Sequence, residues 1–187
     1  MSYNHNKTEL VMPSKTQSIL IGGLIAAVIS TVVAVVQNLS GASDPVNQDP
    51  VLGIIFGLLG CMVMLTSGVI AVWHYTSENE LTLRPSQGVG IGVLAGLIYA
   101  AAAVALGWLL VLFNVLPSPE ETMEVIRESG AFDAPGAEQG AAFAEIMVTW
   151  GWVGGVLIGG VIMGLVGGAI GAAMFKHGPD PESELLG

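Results

Sequence analysis

The chain has 187 residues, 52% of them hydrophobic and only 11% charged, less than half the roughly 25% charge of an ordinary soluble domain. Five Lys and Arg against fifteen Asp and Glu leave a formal net charge of −10, which argues against nucleic acid, whose phosphates need a basic footprint. A single cysteine, Cys61, excludes an internal disulfide and any multi-cysteine metal site; lying mid-span, it reads as a small buried residue.

A hydrocarbon core about 30 Å thick takes about 20 helical residues at about 1.5 Å each. Four runs pass this test, at about residues 18–37, 51–73, 88–116 and 150–175, and none holds Asp, Glu, Lys, Arg or His. Lipid offers no partner for an open backbone, so each run is predicted to be a helix. The fold class is all-α, a four-helix transmembrane bundle spanning residues 16–176, with residues 1–15 and 177–187 as tails.

In the first tail, Lys7 and Lys15 precede the first span, and Ser14 and Gln17 have capping-box spacing. The small residues Ser40–Ala42 resemble a signal-peptide cleavage site. However, the apolar run exceeds the 7–15 residues typical of such signals, so a retained span is expected. The next loop carries Gly41, Pro45 and Pro50, which punctuate turns. Between spans two and three the connection is short and polar, with Ser86 placed to cap the third helix.

The outer loop at 117–149 opens on Ser118, Pro119, Glu120 and Glu121, which combine an N-cap, a first-turn proline and a capping-box glutamate. A short helix is predicted from about Pro119 to Glu128, stopped near Gly130, with Met123 and Ile126 toward the membrane surface or the bundle. A second amphipathic stretch, carrying Phe143, Met147 and Trp150 on one face, leads into span four. The loop's acids, Glu120, Glu121, Glu124, Glu128, Asp133, Glu138 and Glu145, lack calcium-loop spacing and read as a solvated face.

Basic residues sort the two sides. Lys7, Lys15, Arg84 and Lys176 share one side and only Arg127 lies on the other, so the positive-inside rule puts both termini in the cytoplasm of a bacterial inner membrane. Trp73, Tyr75, Trp150 and Trp152 fall near span ends, as interfacial rings do, whereas Tyr99 and Trp108 lie deeper and read as packing or hydrogen-bonding residues.

Glycine recurs every four residues at Gly88, Gly92 and Gly96 in span three. Span four has two such rows: Gly151, Gly155 and Gly159, then Gly160, Gly164 and Gly168. Residues four apart share a helix face, and without side chains they let another backbone approach, which is how helices associate in lipid. The rows predict tight packing with spans three and four in contact, either within one bundle or between copies or subunits. Gly60, Leu65, Gly68 and Ile70 are also echoed at Gly160, Leu165, Gly168 and Ile170, as a hairpin repeat or shared small-residue composition would produce.

The loop after span two, the segment "LRPSQGVGIGVLAGLIYA" opening span three, and the Glu-rich stretch before span four resemble a bacterial four-span family. That family is catalogued as the domain of unknown function numbered 4199. It has no assigned activity, so the resemblance implies fold and membrane location and carries over no functional residue.

A hydrolase needs a nucleophile with its base, a carboxylate pair or a metal cluster. Ser30, Thr31, Thr66 and Ser67 lie in spans without an ionisable companion, and His74 and His177 sit at span ends where headgroup contact is expected. No cofactor signature is present either; "GVGIG" at Gly88–Gly92 lacks dinucleotide-site spacing. The expected function is therefore non-catalytic, acting by helix packing with itself or a partner subunit. The alternative is a passive pore or small-solute permease formed by oligomerisation, using Tyr99, Thr66, Ser67 and backbone carbonyls bared near glycines.

Overall fold

The computed structural model describes residues 14–44, 46, 49–133 and 137–178, with backbone alone at 138 and 139. Lys7, Pro45, the Glu138 side chain and the acidic tail beyond Gly178 lie outside the described residues. Six α-helices follow in order: α1 Thr16–Leu39, α2 Pro50–Glu78, α3 Pro85–Leu112, α4 Pro119–Glu128, α5 Glu138–Ile146 and α6 Trp152–Met174. A π-helical turn, Met147–Gly151, joins α5 to α6. The helices α1, α2, α3 and the continuous segment containing α6 are each long and apolar enough to cross a bilayer, and the chain is a multi-pass membrane protein with an all-α bundle.

Local chemistry sets the helix ends. Asp49 caps α2 by accepting the Val51 N–H at 2.8 Å, with Pro50 in the first turn where its missing donor is harmless. Asn79 closes α2, its side chain donating to the Tyr75 carbonyl at 2.8 Å. Ser118 and Glu121 form the reciprocal capping box expected of α4, at 2.7 and 3.1 Å. Gly130, at φ +77°, turns the chain away after α4 in a left-handed conformation that glycine adopts without penalty.

Two expected caps form differently. Ser14 accepts the Thr16 N–H at 3.4 Å, and α1 starts from Lys15 with no side-chain cap. Helix α3 begins at Pro85 with Arg84 as its N-cap, two residues earlier than a Ser86 cap would require. Gln87, at the third helical position, reaches back and accepts the Arg84 N–H at 3.0 Å.

The central pair is α2 with α3, and α1 and α6 each pack against both of them, α3 against α6 most extensively. Many of the buried residues are small: Ala26, Ala27, Ala71, Ala95, Ala100 and Ala172 accompany the glycines. Apolar bulk faces outward instead, as with Leu20, Leu24, Val28 and Val32 every four residues along α1. This inversion of the soluble pattern follows from lipid, which solvates leucine as well as a protein core does.

Cys61 is exposed rather than buried, because the first half of α2 presents Ile54, Leu58 and Met62 to the surface. Tyr75 is the converse: expected at the interface, it is fully buried, with the Lys15 ammonium 6.0 Å above its ring. The links between α2, α3 and the end of α6 are knitted together there. Thr82 pairs with Lys176 in an antiparallel bridge, the Thr82 hydroxyl donates to the Gly178 carbonyl at 2.6 Å, and Leu81 and Leu83 are buried beneath.

Candidate functional site

Three places concentrate the chain's specific geometry. The first is the seam between α3 and α6. A side chain at Gly92 would fall on the carbonyl oxygen of Gly164, one at Gly96 on that of Gly160, and one at Gly168 on that of Gly88. Gly88, Gly92, Gly96, Gly160, Gly164 and Gly168 thus meet backbone to backbone within one chain. Gly68 of α2 joins them, directed at the Gly164 carbonyl. Of the other row, Gly159 approaches only the Met64 sulfur, 3.0 Å from where a Cβ would stand. Gly155 meets nothing within 4 Å, and neither do Gly154, nor Gly57 and Gly60 of α2.

The second place is the bundle centre. The Ser30 and Tyr99 hydroxyls lie 3.1 Å apart, with the Tyr99 ring buried among Ala26, Ala27 and Ala100. The remaining span hydroxyls turn to their own helices: Thr31 donates to Ala27, Thr66 to Val63 and Ser67 to Met64, at 2.7–2.8 Å. The two histidines among the described residues each meet a hydroxyl, His74 half-buried and His177 exposed. His74 Nδ1 is 2.9 Å from the buried Ser18 hydroxyl, and His177 Nδ1 is 3.3 Å from the Thr76 hydroxyl.

The third place is a concave pocket of about 370 Å³ at the end of the bundle that carries α4. Its walls come from the last turns of α1 and α3, the start of α4, the π turn and the first residue of α6. Trp108 and Trp152 form one side, their ring centroids 5.9 Å apart and their planes tilted by 56°. This tilted pairing follows from ring quadrupoles, which disfavour face-to-face stacking. Gln37, Asn38, Ser43 and Thr122 supply the polar lining. Asn38 donates to the Val115 carbonyl at 3.1 Å and Thr122 to the Ser118 carbonyl at 2.9 Å. The Gln37 amide and the Ser43 hydroxyl have no hydrogen bond with the described residues.

Sequence reasoning placed Trp108 at depth and Trp152 at an interface but did not bring them together. Their meeting continues the α3–α6 seam: Trp108 follows Gly96 and Trp152 precedes Gly160 in steps of four residues, on the two helix faces that pack together. The helix α4 beside the π turn was legible from its cap. Along α4, the buried Met123 faces inward, and Arg127 lies 3.8 Å from Glu145 in a solvent-exposed pair. Comparison with protein-family models, curated proteins and solved structures gives no match to this chain.

Proposed function

We propose that the chain is a non-catalytic subunit of a bacterial cytoplasmic membrane that works by helix packing with a second copy of itself. The observation that carries this reading is the uncovered small-residue face of α2. Gly57 and Cys61 lie one turn apart on a single helix face, a side chain added at Gly57 would enter open space, and Cys61 is exposed. Small residues at a lipid-facing surface leave a groove that a second helix fills by dispersion contact. The α3–α6 seam serves the chain's own fold, whereas the small-residue face of α2 is available for association.

A pore is supported less well. The hydroxyls it would rely on, those of Tyr99, Thr66 and Ser67, already bond Ser30 and backbone carbonyls. The orientation proposed, with both termini cytoplasmic, is supported by Lys15, Arg84 and Lys176 gathering at one end while Arg127 stands at the other.

Cys61 makes the test direct, since it is the one thiol in the chain. Mild oxidation in native membranes is expected to give a disulfide-linked dimer on a non-reducing gel. Gly57→Leu, which meets open space in the monomer, should cut the dimer band severalfold without unfolding the protein. A band unaffected by Gly57→Leu, or no band at all, removes self-association through α2 and leaves a different membrane subunit as the partner to seek by gentle co-purification.

A further inference from the structure

The pocket at the α4 end is graded from apolar to polar toward the end of the bundle, independently of any contact between copies. Ala34, Gly107 and Trp108 lie about a turn inside the ends of α1 and α3, with Trp152 against Trp108, whereas Asn38 is a turn further out on α1 and Ser43, Pro117 and Thr122 come after those two helices have ended. A lipid in the adjoining leaflet has the same polarity gradient, tail inward and headgroup at the water. The volume, about 370 Å³, falls within the range of roughly 300–1,000 Å³ for small-molecule sites.

The charge around the pocket narrows the ligand. No ionisable side chain lines it, and the residues that follow its lining Ser43 and Pro119 in the chain are acidic, Asp44, Glu120 and Glu121. Among the described residues the single basic one on this side of the bundle, Arg127, stands beside Glu145. An anionic headgroup would therefore meet like charge with no cation in the lining to offset it. The Gln37 amide offers two donors and an acceptor, and the Ser43 hydroxyl one of each, which suits an uncharged hydroxyl or ester headgroup.

We infer that this pocket binds a neutral amphiphile of the diacylglycerol type, its tail against Trp108 and Trp152 and its headgroup at Gln37 and Ser43. Detergent-purified protein, titrated with dioleoylglycerol or with dioleoylphosphatidylglycerol and followed by native mass spectrometry, tests the assignment. A saturable one-to-one adduct is expected with the neutral lipid, at about tenfold higher affinity than with the anionic one. Ala34→Phe, which fills the apolar end, should abolish it. Gln37→Leu keeps the side-chain bulk and removes the amide, and should weaken it about tenfold, the equivalent of one hydrogen bond left unmade. Circular dichroism checks that each variant is folded; if Ala34→Phe is not, Gln37→Leu decides. Equal affinity for the two lipids, adducts that do not saturate at one, or adducts indifferent to Gln37→Leu would each overturn the assignment, whatever the oxidation of Cys61 shows.

Discussion

Ser30 of α1 and Tyr99 of α3, 69 positions apart in the chain, place their hydroxyl oxygens 3.1 Å from one another in the middle of the bundle. It is a polar tie between two spans otherwise joined by small and aliphatic residues. Tyr99→Phe should lower stability by about 0.6–1.7 kcal/mol, the range of interhelical hydrogen bonds in membranes. Adding Ser30→Ala to it should cost little more, because the partner is already lost. Unfolding in mixed micelles with rising dodecyl sulfate, read by circular dichroism, gives the cycle.

Two glycines in the same helix should respond oppositely to the same replacement. Gly164→Leu drives a side chain into the backbone of Gly92 and Gly96, and at least the roughly 1–3 kcal/mol of an overpacked core is expected to be lost. Gly155→Leu enters open space and should fall within about 0.5 kcal/mol of the parent. Both are measured by the same micellar unfolding, and a similar loss at the two positions would deny the seam its role.

Helix α4 is held by its N-terminal box. Ser118→Ala removes the acceptor for the Glu121 N–H, which should cost about 1 kcal/mol locally and raise amide exchange at Glu121 about fivefold. Arg127→Ala should move the same exchange little, since the pair with Glu145 is more than half exposed on both sides and such pairs are worth about 0–1 kcal/mol.

Sidedness is open to a labelling measurement in a Cys61→Ala background. With the proposed orientation, Glu124→Cys is expected to react with a membrane-impermeant maleimide on spheroplasts, and Ser86→Cys only after lysis. The reverse pattern would invert the topology while leaving the fold untouched.

The spans, the α4 cap and the small-residue contact of α3 with α6 were legible because each rests on local physics: a run without charge, a serine three residues before a glutamate, glycines four apart. Spacing alone could not separate the Gly160 row from the Gly155 row. Which of two neighbouring faces is covered depends on how the helices splay, and α2 and α6 meet from Met64 and Gly159 onward while Gly57 and Gly155 have no such neighbour. The same limit accounts for Cys61, judged buried from its mid-span position, and for Tyr75, covered by a packed Lys15 and the α2–α3 connection. The pocket needed tertiary structure outright, since its lining comes from three separate stretches of chain.

The turn at Met147–Gly151 also fixes a phase. One surplus residue rotates everything before it by about 100° relative to a regular α-helix. Deleting Val148 would let the ladder close normally and swing Phe143, Ile146 and the rest of α5 about a quarter-turn around the axis, away from the direction they now face. The length of this short stretch, more than the identity of its side chains, therefore sets how the connector lies across the end of the bundle, and a single-residue shortening would disturb it more than most substitutions within it.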